Sequence, residues 1–191
     1  NVMNALAAAT VAMRYGMAPE TVARILASQH TISPHRMALS TVNREGTSFT
    51  LIDDSFNANP DSMKAGLNGL KAWNSNDGKE PFRVALLGAM LELGADETAL
   101  HTSIGTYADE LGIDAIIAVG SAQDQHLDAL AQALADGARQ SQSASVDCVH
   151  DIDAAEQLVI DLARNHPDAV VLLKGSHASG LSALAERWAK N

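Results

Sequence analysis

The chain predicts an α/β protein, a doubly wound, mostly parallel sheet of Rossmann-like type preceded by a helical hairpin. Three observations carry this. Short apolar runs alternate with segments of helical period almost without exception. The runs 82–88, 114–119 and 169–173 are nearly continuous rather than alternating, the mark of parallel strands covered on both faces. Polar or glycine-bearing turns follow the strands, at the edge where such sheets bind ligands.

From Val2 to about Tyr15, Val2, Leu6, Ala9 and Met13 share one helical face, and the many alanines favour helix until Gly16 ends it. Pro19 opens a second short helix carrying Val22, Ile25 and Leu26. Two helices hold too little core to stand alone, so the hairpin needs a partner in the following chain or in a missing segment. Thr31 to Met37, with Ser33 and Pro34 and no periodicity, reads as a linker, and the expected division is 1–35 and 36–191. Ala38–Val42 and Thr47–Ile52 are expected as a strand pair joined by a turn over 43–46. Asn59 suits a helix cap and Pro60 the first helical position, with Met63, Leu67 and Leu70 in phase behind them. After the polar spacer 74–80, three more strand–helix units follow. Their helices carry Leu100, Ile104, Tyr107 and Leu111; then Leu127, Leu130 and Leu134; then Ile152, Ala155, Val159 and Leu162. A last strand, 169–173, leads to a closing helix with Leu181, Leu184 and Trp188.

With 191 residues, a body of this size buries enough surface to fold without metal or disulfide. The formal net charge of −10 opposes binding to a nucleic-acid backbone or an anionic membrane surface, so neither is expected as a partner. Cys148 is the sole cysteine, which excludes an internal disulfide and fits a cytoplasmic location. The sequence starts at Asn1 in helical sequence without Met, and the expectation is that a larger polypeptide precedes it.

The most informative stretch is 51–63. An apolar run ends in two carboxylates, Asp53 and Asp54, and a polar turn feeds a helix. A carboxylate at a strand end can accept from the two hydroxyls of a ribose, and Asn side chains both donate and accept, so a nucleotide site is one reading. Ordinary turn formers and caps are the other. The histidines are scattered and no cysteine cluster exists, so no metal-ligand spacing is present. Nor is there a Gly-x-x-x-x-Gly-Lys-Ser/Thr phosphate loop, since Gly78-Lys79 is followed by Glu80.

The string Asp53-Asp54-Ser55-Phe56-Asn57-Ala58-Asn59-Pro60-Asp61-Ser62-Met63 closely resembles a signature of the Mur ligase family. Within it, the resemblance is to the member that adds D-alanyl-D-alanine to UDP-N-acetylmuramoyl-tripeptide in peptidoglycan precursor synthesis. Asn1-Val2-Met3-Asn4-Ala5-Leu6-Ala7-Ala8 resembles the end of a motif in the family's central ATP-hydrolysing domain. His35-Arg36 stands where the family has Gly-Arg, and the Gly-Asp-Met-x-Glu-Leu-Gly segment is matched at 88–94 with Ala89 in place of Asp. Lys174-Gly175-Ser176-His177 resembles a Lys-Gly-Ser-Arg motif, with His177 replacing the Arg. Glu92 and His101 are kept as well, either as a polar relay or as loop caps.

The resemblance implies the helical tail of the central domain followed by a complete C-terminal domain of an ATP-dependent carboxylate–amine ligase. It implies ATP and Mg2+, with the phosphate loop and metal ligands upstream of Asn1, so no catalysis is expected of this segment alone. It implies that Asn4 meets the adenine with support from Asn1, Arg36 the phosphates and Asp54 the ribose, with Asn57 and Asn59 shaping the pocket. Lys174 and Ser176 would meet the incoming dipeptide or the acyl phosphate. The implied partners are the missing N-terminal and central domains, the tripeptide substrate and the dipeptide. Two alternatives stay open: a sister Mur or folylpolyglutamate-type ligase, against which Asn57-Ala58-Asn59-Pro60 speaks, and a non-enzymatic nucleotide-binding α/β module.

Overall fold

The computed structural model describes residues 2–28, 35–74, 79–141 and 143–190. Asn1, the linker residues 31–34 and much of the polar spacer, at 75–78, lie outside the described residues. The chain divides into two compact units, Asn1–Pro34 and His35–Asn191.

The first unit is the helical hairpin, α1 (Val2–Arg14) and α2 (Pro19–Ala27), with Gly16 between them at φ +89°, where a side chain would be strained. The anticipated apolar positions Leu6, Met13, Ile25 and Leu26 are all exposed, and Val22 is the hydrophobic side chain the hairpin buries among the described residues.

The second unit is a three-layer α/β domain. Its six strands are β1 (Ala38–Arg44), β2 (Thr47–Asp54), β3 (Arg83–Gly88), β4 (Ala115–Val119), β5 (Ser145–Val149) and β6 (Val170–Lys174), in the order β1-β2-β6-β3-β4-β5. β1 and β2 form an antiparallel hairpin through Glu45 and Gly46, both at positive φ (46° and 78°), as a tight two-residue turn demands. Every other pairing is parallel. The helices α3 (Pro60–Ala72), α4 (Glu97–Glu110) and α5 (Gln125–Ala138) cover one face, where Met63, Leu67, Leu70, Ile104 and Leu134 pack on Ile52, Leu87 and Leu172. On the other face, α6 (Ile152–Asn165) and α7 (Leu181–Trp188) pack Val159, Leu184 and Trp188 on Phe49, Leu51 and Val171. This is the doubly wound sheet the alternation of runs predicts.

Two boundaries matter for the site. β2 runs through Asp54 and β6 through Lys174, each beyond the apolar run that marks it in the sequence. Because β6 lies between β2 and β3 and all three are parallel, Asp54, Lys174 and Gly88 end on the same edge of the sheet. From that edge the chain leaves β2 and β3 toward one face and β6 toward the other, which makes it a switch point of the sheet.

Candidate functional site

Since β2 continues through both carboxylates, the pleat turns Asp53 and Asp54 to opposite faces. Asp53 is buried and serves the local backbone: Oδ1 accepts from the Ser55 hydroxyl (2.6 Å) and amide (3.2 Å), and Oδ2 lies 2.8 Å from His35 Nδ1. Asp54 pairs in register with Lys174 on β6, and its Oδ2 is 2.8 Å from Nζ. Its Oδ1 accepts the Met37 amide at 3.2 Å. The Asp54 side chain keeps 17% of its surface exposed, against 3% for Lys174. Of the two adjacent acids, Asp54 is the more exposed, with 11% of the Asp53 side chain open to solvent.

Lys174 donates to Asp54 Oδ2 and also to the main-chain carbonyls of Asn57 (2.6 Å) and Asp54 (3.4 Å). This binds β6 to the 55–59 loop. The exposed Asn57 is further shaped from within, its Oδ1 accepting the Ala58 amide at 2.8 Å. Asn59 caps α3 in a reciprocal box: its Oδ1 accepts the Ser62 amide (2.8 Å) and its own amide donates to the Ser62 hydroxyl (3.0 Å). Pro60 takes the first helical position, as its fixed φ favours.

His35 adopts φ +58°, a conformation glycine accepts freely and histidine does not. Three contacts offset the strain: the imidazole against Asp53, its Nε2 at 3.6 Å from Glu186, and its carbonyl accepting the Phe56 amide at 3.2 Å. Next to it, exposed Arg36 lies over the exposed Phe56 ring, its guanidinium carbon 4.6 Å from the centroid. Arg36, Met37, Asp54, Phe56 and Asn57 thus line one stretch of edge beside Lys174.

The neighbouring loops are built by close approach. A Cβ on Gly175 would stand 3.0 Å from Gly88 Cα and 2.6 Å from the Ser179 hydroxyl, so the ends of β6 and β3 meet only because both residues are glycine. Ser176 donates its amide to the Ala89 carbonyl (2.9 Å), and its buried hydroxyl has no hydrogen-bond partner among the described residues. Ala89, where the family has Asp, is buried beside Leu127 and Leu130. His177 lies 3.0 Å from the Ser182 hydroxyl through Nδ1.

His101 holds the loop after β3. Its Nε2 accepts the Met90 amide at 2.8 Å, so the proton sits on Nδ1, which donates to the Glu97 carbonyl at 2.7 Å. Burial lowers its pKa below the ordinary 6.5, opposed by that carbonyl and by the Glu97 carboxylate. Of the relay and the loop cap, these bonds make His101 a loop cap; the exposed Glu92 sits at φ +62° in the same loop. Asn4 is an exposed residue of α1, in the first unit. Among the described residues no group of three or more His, Cys, Asp or Glu side chains could hold a metal ion. No helix among them is long and apolar enough to cross a membrane.

A carboxylate at a parallel strand end, a stacked guanidinium and glycine-built loops define a domain that presents a hydroxyl-accepting edge at its switch point. Residues 35–177 match the family model for the Mur ligase glutamate ligase domain, and the chain belongs to the Mur ligase family. It is 39% identical to the UDP-N-acetylmuramoyl-tripeptide--D-alanyl-D-alanine ligase of Mycobacterium tuberculosis, over 97% of this chain and 37% of that protein. The enzyme of the same name from Mycobacterium leprae is 38% identical over 97% of this chain and 36% of its own length. Among solved structures, MurF from Acinetobacter baumannii superposes with a TM-score of 0.76 at 25% identity, covering 98% of this chain and 37% of that one. The chain therefore spans little more than a third of the length of these relatives.

The Asp54–Lys174 contact has no signature in the sequence, because 119 residues separate the two and only strand order joins them. Nor did the sequence single out Asp53 as the clamp on His35. Its one clue was the positive φ that glycine, not histidine, accepts freely, at a place where the family has Gly.

Proposed function

We propose that this chain is the C-terminal part of an ATP-dependent amide ligase that adds D-alanyl-D-alanine to UDP-N-acetylmuramoyl-tripeptide. In this reading, residues 1–35 are the helical tail of the central domain and 36–191 the C-terminal domain. The observation that carries it is Asp54: a partly buried carboxylate at the end of β2, pinned at both oxygens yet with lone pairs to spare, inside the string 53–63. Asp54 accepts from the ribose hydroxyls of ATP. Arg36, presented on Phe56, meets phosphate oxygens. Asn4 meets the adenine, and Asn57 and Asn59 hold the 55–59 loop and the start of α3 in shape. Ser176, in the loop after β6, is assigned to the incoming dipeptide; its hydroxyl is buried and without a partner among the described residues.

In the reaction, the tripeptide carboxylate takes the terminal phosphoryl group of ATP, releasing ADP. The dipeptide amine then attacks the acyl carbon, loses a proton and expels phosphate. Residues of this chain bind and orient, and the phosphate cradle and Mg2+ ligands come from the preceding part of the protein. Much of the acceleration is positioning. The work is cytoplasmic, in peptidoglycan precursor synthesis, and depends on the N-terminal and central domains of the same chain.

The test is phosphate release by the full-length protein with ATP and UDP-N-acetylmuramoyl-tripeptide, offered D-alanyl-D-alanine, single amino acids or glutamate. Turnover with the dipeptide alone supports the reading. Turnover with glutamate or a single amino acid instead assigns a sister ligase, and no turnover with any acceptor removes the enzymatic reading. Asp54→Asn should raise the KM for ATP while leaving that for the dipeptide in place.

A further inference from the structure

We infer that Lys174 is a positioning residue: it acts on the nucleotide side of the reaction through Asp54 and the 55–59 loop, and does not itself bind the dipeptide or the acyl phosphate. The inference rests on the proposed ligase reading and deepens it by moving a residue of the Lys-Gly-Ser motif from one substrate to the other.

An ammonium has three protons and no lone pair. Lys174 Nζ has three acceptors at hand, Asp54 Oδ2 at 2.8 Å, the Asn57 carbonyl at 2.6 Å and the Asp54 carbonyl at 3.4 Å, so its donors are taken up within the chain. Its side chain is 3% exposed, which closes it to an incoming ligand. The stem runs alongside α3, where a Cβ on Gly66 would make ordinary contact with Lys174 Cδ at 3.4 Å.

Asp54 shows the complementary state. Each carboxylate oxygen can accept two hydrogen bonds. Oδ2 has one partner in Lys174 and Oδ1 one in the Met37 amide, which leaves one site on each for a pair of neighbouring hydroxyls. The ammonium fixes the direction of those lone pairs before a ligand arrives. It also offsets the negative charge that would otherwise face a polyphosphate at the same edge. Through the Asn57 carbonyl, the same charge holds the loop between β2 and α3. One buried cation therefore orients the diol acceptor, neutralises it and anchors the loop beside it.

Steady-state kinetics of the full-length protein with Lys174→Met tests this. The expected result is a KM for ATP raised about tenfold or more, with the KM for D-alanyl-D-alanine within about twofold of wild type. A raised dipeptide KM with unchanged ATP KM overturns the inference and leaves the ligase reading standing, as does a variant unchanged in both. A wild-type protein without ATP-dependent ligation removes the ligase reading and the inference with it. Should Lys174→Met not fold, Asp54→Asn and Asp54→Asn/Lys174→Met, in which no lone buried charge remains, are compared instead. If Lys174 acts only through Asp54 and its loop, the two share the same dipeptide KM; a further rise in dipeptide KM in the double variant overturns the inference.

Discussion

His101 and Met90 are joined by a hydrogen bond from the Met90 amide to the imidazole Nε2, 2.8 Å long and buried, which forces the imidazole to be neutral. A protonated ring has no acceptor left, so charging His101 breaks the bond that holds the loop after β3. Burial lowers the folded-state pKa below 6.5, so the unfolded chain takes up the proton first as pH falls. Stability from this group is complete above about pH 6.5 and declines as pH falls from there toward the lowered folded value. Urea midpoints measured from pH 7.5 to 5 should fall in wild type and fall less steeply in His101→Phe, which itself should cost about 1–3 kcal/mol at neutral pH through the unpaired Met90 amide.

Asp109 sets a second pH dependence of opposite charge type. Burial raises its pKa, but the Ser141 hydroxyl and amide and the Ser143 hydroxyl outweigh that, and the net value lies below 3.8. These bonds tie the end of α4 to the connection before β5. Their contribution is present above about pH 3.8 and lost as pH falls through the lowered folded value. Ser141→Ala should destabilise the domain by about 1–2 kcal/mol at neutral pH, and acid titration followed by circular dichroism should show its unfolding at higher pH than wild type.

Asn59→Ala removes one half of the box that caps α3. The expected loss is about 1 kcal/mol in denaturant unfolding. Because α3 starts where the 55–59 loop ends, ATP affinity of the full-length protein should weaken alongside stability. Asn59→Asp should retain most of both, since a carboxylate accepts the same amide.

Glu156 gathers Arg44 (3.2 Å), Arg187 (2.6 Å) and the Trp188 indole N–H (2.9 Å) under the second face of the sheet. The arginines are partly exposed and their attraction is screened, so the indole bond counts most. Glu156→Ala leaves Trp188 Nε1 buried without its acceptor and should cost about 2 kcal/mol. Tryptophan fluorescence of the variant should shift as the Phe49–Trp188 edge contact loosens.

Much of the fold was legible because its signals are local. Pro60 behind Asn59, the unbroken run Val84–Leu87 and the phased Leu127, Leu130 and Leu134 each declare an element within a few residues. The strand ends were less legible. Asp53, Asp54 and Lys174 are charged, and nothing in their own chemistry says that pairing continues through them; the partner strand's register does. Of the site positions, Asn59 acts where its spacing pointed, at the helix cap. Lys174 pointed toward a ligand but lies beneath Asp54, and Ser176, two residues on, keeps a hydroxyl unpaired among the described residues.

By itself the sequence determined the α/β class, the order of elements, the family and the stretch 53–63 as the place to look, since each depends on residue types at short spacing. Only the tertiary structure decided that Asp53 clamps His35 while Asp54 takes Lys174 as its counter-ion. Which side chain a strand turns outward depends on where the strand stops, and which charges meet depends on β6 threading between β2 and β3. Both are set by pairing between segments 87 and 120 residues apart, which no local pattern encodes.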